Sequence, residues 1–242
     1  MVIVDLIIDE DSQEGIFIKN ISICIWIAAI IFLLVIAIYF FREAKQKENI
    51  FFRRIGFFFF LFLGASICRL INKFFIGYRT KSPMSLHYEG LNLILISFYA
   101  ALGLGGLFFI YYALEKEEIK KTHYLFSILT LITLAISVLN YWLPENISIP
   151  YITFYIVYPL WITTLLALPS IYVGLAIISS GIVRRKAIIL VIGIVIFEFS
   201  VAMNSPEATP VFIALGPYIL LWAVPCMQIL GCYLFYKGFK MV

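Results

Sequence analysis

The chain has 242 residues, of which 63% are apolar and 13% are charged, with a net charge of +4 and a mean hydropathy of +1.03. A soluble domain is typically about half apolar and about one quarter charged, so this composition excludes a water-soluble globular protein. The basic residues flank apolar segments, which favours contact with anionic lipid headgroups and argues against nucleic-acid binding.

Seven apolar segments follow an acidic tail of residues 1 to 20, and each is long or nearly long enough to cross about 30 Å of hydrocarbon as an α-helix. They cover residues 21 to 41, 55 to 76, 91 to 114, 124 to 143, 151 to 178, 187 to 203 and 211 to 236. The fifth contains Pro159 and Pro169 and is too short for two crossings, so we expect one kinked or tilted helix. The sequence therefore predicts an all-α, polytopic membrane bundle of about seven transmembrane helices, forming a single domain over residues 1 to 242.

The segments between these spans differ sharply in their basic content. Most of the lysines and arginines follow spans one, three, five and seven: Arg42, Lys45, Lys47, Arg53, Arg54, Lys116, Lys120, Lys121, Arg184, Arg185, Lys186, Lys237 and Lys240. The positive-inside rule places these segments in the cytoplasm. We therefore expect an outer amino terminus, a cytoplasmic carboxyl terminus and a multi-pass protein of the plasma membrane.

Span two carries polar residues at intervals of three and four, which places them on one helical face. They are Ser66, Arg69, Asn72 and Lys73. An ionised side chain deep in a bilayer costs at least a few kcal/mol, so it normally faces protein or water. The face either lines a polar cavity, or Arg69 and Lys73 extend to the outer headgroups.

Spans three and four carry small and polar residues at helical spacing. Ala101 and Gly105 form a small-xxx-small step in span three, which favours close helix packing. Span four has a polar stripe of Ser127, Thr130, Thr133, Ser137 and Asn140. The stripe predicts either interhelical hydrogen bonds, worth about 0.6 kcal/mol each, or the wall of a hydrated cavity.

Span six contains Glu198, at a depth in its helix similar to that of Arg69 in span two. The two side chains could form an ion pair if their spans touch, and otherwise we expect Glu198 to be protonated. Asn204 follows at the outer end of span six. Pro217 and Pro225 remove helical hydrogen bonds in span seven, which predicts either a hinge or a fixed bend.

The sequence shows no metal-ligand spacing, no cofactor motif and no recognisable nucleophile with its base. We therefore predict neither metal nor cofactor and favour a protein that is not an enzyme. The leading hypothesis is a receptor- or sensor-like module that binds a small anionic or zwitterionic ligand in an outward-facing cavity and acts through a cytoplasmic or membrane protein partner. The predicted cavity residues are Arg69, Asn72, Asn140, Glu198 and Asn204.

Three other functions remain open from the sequence. The first is a secondary transporter or channel, although matching broken helices, the usual sign of transporter repeats, are not evident. The others are a structural subunit of a membrane complex and a lipid enzyme that lacks a recognisable motif.

Overall fold

The computed structural model describes residues 13 to 76, 90 to 117, 122 to 142, 153 to 203 and 222 to 240, which are helical almost throughout and contain no strand. The helices are α1 (Gln13–Gln46), α2 (Ile50–Ile71), α3 (Leu91–Glu117), α4 (Leu125–Trp142), α5 (Tyr158–Ile178), α6 (Gly181–Met203) and α7 (Val224–Lys240). The π-helical segments Asn72–Ile76 and Thr153–Val157 extend α2 and precede α5. The prediction of an all-α bundle is confirmed.

Six helices in the described part of the chain, α1 to α6, are long and apolar enough to cross a membrane. The chain is therefore a multi-pass integral membrane protein. The described helix α7 has 17 residues, and residues 204 to 221 lie outside the described residues. A seventh crossing over residues 211 to 236 and the orientation of the chain thus stay predictions.

Helix α4 shows how the side chains are sorted between the protein interior and the surroundings. Its buried residues are Ser127, Thr130, Thr133, Ser137, Asn140 and Tyr141. Its exposed large apolar residues include Leu125, Ile128, Leu131, Ile132 and Leu139. A helix in water would bury its apolar side chains and expose its polar ones. The reverse arrangement fits lipid, which solvates the apolar face while the polar face needs partners inside the protein.

Several helices extend beyond the apolar segments that predicted them. Helix α1 begins at Gln13 rather than near residue 21, and α6 begins at Gly181 rather than near residue 187. Arg184, Arg185 and Lys186 therefore lie on α6, not in a loop. Gly181 has φ +61°, a left-handed conformation that glycine adopts freely, and it allows α6 to start directly after α5.

The fifth apolar segment forms one α-helix rather than two, as its length predicted. Pro159 is the second residue of α5, directly after the π-helical turn Thr153–Val157, and Pro169 lies inside the helix. Pro225 likewise lies in the first turn of α7. Pro217 is outside the described residues, so the predicted hinge or bend in span seven stays a prediction.

The chain divides into two compact units, Met1–Ile162 and Thr163–Val242. In the first unit, α2 packs against both α1 and α3, and α3 packs against α4. The Phe40 and Phe59 rings stack with their centroids 5.6 Å apart in the α1–α2 interface. In the second unit, α6 packs against α7. The prediction of a single seven-helix domain stays a prediction.

Glycines allow close helix contacts in both units. A Cβ added to Gly106 of α3 would lie 3.2 Å from the Phe58 carbonyl oxygen of α2. A Cβ at Gly231 of α7 would lie 2.7 Å from the Phe197 backbone nitrogen of α6. At the neighbouring Gly105, part of the small-xxx-small step, a Cβ would make only an ordinary contact 3.9 Å from Leu61, so the close approach of α3 is at Gly106.

Candidate polar site at the end of α2

Two cations of α2 and its π-helical extension are buried inside the first unit. The side chains of Arg69 and Lys73 are 2% and 3% exposed. The Arg69 guanidinium carbon lies 5.6 Å from the ring centroid of Tyr99 on α3, and the Lys73 ammonium lies 5.1 Å from a Trp26 ring on α1. A cation held over an aromatic face away from water gains about 2 kcal/mol. The structure therefore supports burial of both cations and not their extension to the headgroups.

The cations lie where the backbone changes from α-helix to π-helix. The Asn72 N–H donates to the carbonyl groups of both Cys68 and Arg69, and Asn72–Ile76 continue as a π-helical turn. Such turns are rare, cost hydrogen-bond geometry and occur frequently at functional sites. The sequence contains no proline or glycine within this turn and offered no signal for it.

An asparagine pair lies beside the cations. The Asn72 side-chain N–H donates to Asn92 Oδ1 on α3 at 2.7 Å, and these residues are 1% and 3% exposed. Asn72 Oδ1 has no hydrogen-bond partner among the described residues. A buried carbonyl oxygen without a hydrogen-bond partner lowers stability by about 1 to 3 kcal/mol. The atom is therefore available to accept a further hydrogen bond. Sequence analysis missed Asn92, although an amide at the start of an apolar segment was a usable signal.

Asn140 lies near the end of α4 and is 6% exposed. Two contacts hold this end of α4 beside the start of α3. Trp142 Nε1 donates to Ser97 Oγ at 3.0 Å, and Tyr141 packs against Ile96. Asn140 therefore lies at the same end of the first unit as Asn72, Asn92 and the Arg69–Tyr99 contact.

Most of the hydroxyl stripe on α4 has hydrogen-bond partners within the protein. Thr130 and Thr133 donate to the backbone carbonyls of Phe126 and Leu129, one turn earlier. Ser137 Oγ accepts a 2.8 Å hydrogen bond from Trp161 Nε1. The Ser137–Trp161 bond joins α4 to α5 and supports interhelical packing at that position, whereas the Thr130 and Thr133 hydroxyls bond within α4. Asn140 is what the stripe contributes to the candidate site.

The remaining predicted site residues are Glu198 and Asn204. Glu198 lies on α6 in the second unit and is 7% exposed, and its Oε1 atom has no hydrogen-bond partner among the described residues. The Gln228 side chain on α7 is 1% exposed, and its Oε1 atom also has no hydrogen-bond partner among the described residues. Asn204 lies outside the described residues. Because Arg69 and Glu198 belong to different units, their pairing stays a prediction.

A second polar cluster lies at the opposite end of α3 and was not predicted. The Glu115 carboxylate is 3% exposed and accepts hydrogen bonds from Phe126 N at 2.8 Å and Ser127 N at 3.0 Å. The hydroxyls of Ser127 and Thr122 donate to the same carboxylate. These backbone donors belong to the first turn of α4, where N–H groups lack helical partners and the helix dipole favours an anion. Glu115 thus joins the end of α3 to the start of α4.

Arg54 extends this cluster to α2. Its guanidinium lies 3.3 Å from the Glu117 carboxylate and 4.5 Å from the ring centroid of Tyr112, both on α3. Sequence analysis assigned Arg54 to a basic loop, whereas the structure buries it within α2. Its role is therefore to hold two helices together and not only to contact headgroups.

The described residues contain no group of three or more His, Cys, Asp or Glu side chains that could hold a metal ion. What the candidate site offers chemically is positive charge and amide donors, from Arg69, Lys73 and the asparagines. Comparison with known proteins finds no matching family model, no matching curated protein and no matching solved structure.

Proposed function

We propose that the protein is a receptor- or sensor-like module of the plasma membrane that binds a small anionic or zwitterionic ligand at the polar site of the first unit. The observation that carries this proposal is the burial of Arg69 and Lys73 within one turn of a membrane-spanning helix. Ionisable residues in such positions are costly, and they commonly mark sites of ligand or ion recognition.

The residue types at the site match the proposed ligand class. A guanidinium such as that of Arg69 presents parallel N–H donors that fit a carboxylate or phosphate. Asn72 and Asn140 add neutral amide groups, and the open acceptor on Asn72 Oδ1 would suit an ammonium N–H. Glu198 and Asn204 are the other two predicted ligand-binding residues, and they stay part of this proposal.

Signalling requires a connection from the ligand to a cytoplasmic or membrane protein partner. Helix α3 provides one, because Tyr99 contacts Arg69 and Glu115 on the same helix holds the start of α4. A ligand that shifts Tyr99 would move α3 against α2 at the tight Gly106–Phe58 contact. The partner would then detect the changed position of the α3–α4 connection.

A secondary transporter or channel is the second candidate function. The observation that favours it is the burial of Glu198 and Gln228 in the second unit, each with an oxygen that lacks a partner among the described residues. Buried carboxyl groups in membrane helices often belong to ion or proton pathways.

One experiment distinguishes these functions. The purified protein is screened for thermal stabilisation by a panel of carboxylates, phosphates, amino acids and neutral analogues, and each stabilising compound is tested for flux into proteoliposomes. We expect anionic or zwitterionic compounds to stabilise the wild type and to lose this effect in Arg69→Ala. Arg185→Ala, which removes an exposed cation of α6, is the matched control and should retain it.

Stabilisation without flux supports the receptor, whereas flux supports the transporter. Arg69→Lys keeps the charge and separates a binding defect from a folding defect. This variant should fold like the wild type and bind the ligand more weakly. Stabilisation by neutral and anionic analogues alike, unchanged in Arg69→Ala, would contradict both the site and the proposed ligand class.

A further inference from the structure

A cavity of about 460 Å³ lies in the first unit where α1 ends and α2 begins. It is lined by Phe41, Ala44, Lys45, Glu48, Asn49, Ile50 and Arg53. Both helices are membrane spans, so the turn between them lies at the surface of the bilayer. The basic residues place this surface on the predicted cytoplasmic side.

The cavity carries positive charge that no carboxylate among the described residues pairs with. Lys45 and Arg53 are exposed and come from different helices, and neither forms an ion pair among the described residues. Two neighbouring cations are engaged, because Lys47 pairs with Glu43 at 2.9 Å and Arg54 pairs with Glu117. Glu48 is the one lining carboxylate, which leaves the lining with a net charge of +1.

The turn that carries these residues is fixed by hydrogen bonds. Asn49 Oδ1 accepts from Phe51 N at 2.8 Å and caps α2, while Asn49 N donates to the Ala44 carbonyl at 3.1 Å. Glu48 adopts φ +49°, which reverses the chain between the two helices. Lys45 and Arg53 therefore project from an ordered backbone turn.

The other part of the lining is apolar and continues onto the lipid-facing surface. The Phe41 ring lies against Phe57 with their centroids 5.2 Å apart, and the Phe57 side chain is 39% exposed. Ile38, one turn before Phe41, is 50% exposed. An occupant with a charged head and an apolar chain would match both parts of the lining at once.

We propose that this cavity binds an anionic phospholipid, with Lys45 and Arg53 contacting the headgroup phosphate and an acyl chain lying along Phe41 and Phe57. Basic pockets between membrane helices on the cytoplasmic side suit such headgroups, and the surrounding leaflet supplies the lipid at high local concentration. A soluble phosphate ion would satisfy the cations and leave the apolar lining without a partner.

The test uses the full-length protein in detergent and counts retained lipids by native mass spectrometry. The probes are phosphatidylglycerol and phosphatidylcholine with identical acyl chains. We expect the wild type to retain one phosphatidylglycerol in preference to phosphatidylcholine. Lys45→Gln combined with Arg53→Gln should lower this preference by about tenfold or more. Arg184→Gln combined with Arg185→Gln changes the net charge equally at exposed positions of α6 and should leave the preference unchanged.

A gain-of-binding variant separates lipid binding from any folding defect. Glu48→Gln removes the lining carboxylate, and we expect phosphatidylglycerol to bind a few-fold more tightly. Equal retention of the two lipids by the wild type would overturn the proposal, as would an equal loss of preference in the Arg184/Arg185 control. Displacement of the lipid by millimolar inorganic phosphate would assign the cavity to a soluble anion instead and would overturn it too.

Discussion

The Arg69 guanidinium lies over the Tyr99 ring at 5.6 Å, so a cation of α2 is held against an aromatic face of α3 inside a membrane bundle. This contact joins the same two helices as the Asn72–Asn92 hydrogen bond. Its strength should depend on the aromatic face and not on the size of the side chain.

Substitution of Tyr99 tests that dependence. We expect Tyr99→Leu to lower the free energy of unfolding by about 1 to 2 kcal/mol, because an aliphatic chain cannot attract the cation. Tyr99→Phe keeps the ring and should retain most of the stability. The free energy of unfolding of both variants is measured in detergent. Equal losses of stability in Tyr99→Leu and Tyr99→Phe would show that the ring face does not hold Arg69.

A double-mutant cycle measures the coupling of Asn72 and Asn92. Each single change to Leu leaves a buried amide without this partner, whereas the double change removes both amides. We therefore expect a coupling energy of about 0.6 to 2 kcal/mol in unfolding measurements. Additive losses would mean that the 2.7 Å hydrogen bond contributes nothing to stability.

Replacement of Glu115 tests the connection between α3 and α4. Glu115→Ala leaves the first N–H groups of α4 without their acceptor, and charge-assisted hydrogen bonds contribute about 1.5 to 3 kcal/mol. We expect a loss of stability in this range and faster hydrogen exchange at the start of α4. Glu117→Gln is the matched control, because its partly exposed ion pair with Arg54 should contribute less than about 1 kcal/mol. Equal effects of the two changes would show that Glu115 is not a helix cap.

Alanine at Gly231 tests the close packing of α6 and α7. The added Cβ would lie 2.7 Å from the Phe197 nitrogen and 2.9 Å from its Cα, so the helices must separate. We expect a loss of about 1 to 3 kcal/mol. Gly174→Ala is the control, since nothing lies within 4 Å of its Cβ position and alanine has the higher helix propensity. A stable Gly231→Ala protein would contradict the packing of this helix pair.

The sequence predicted the helices well because the determining signals are local. Long apolar segments located α1 to α6, and the spacing of three and four residues placed Arg69 and Asn72 on one buried face. Asn92 and Glu115 were missed because their partners lie on other segments, so their roles depend on how the helices pack. Helix ends such as Gly181 were also misplaced, because polar residues can continue a helix beyond its apolar part.

Chemical labelling of a cysteine at position 72 tests most directly whether the polar site is an outward-facing cationic cavity. Cys24, Cys68, Cys226 and Cys232 are first replaced by Ser, and Asn72→Cys is then introduced. Intact cells are treated with membrane-impermeant thiol reagents of equal size and opposite charge. We expect the anionic reagent to react several-fold faster, because Arg69 and Lys73 attract it, and Arg69→Gln to reduce this difference. Faster reaction with the cationic reagent, or reaction only from the cytoplasmic side, would contradict the proposed site.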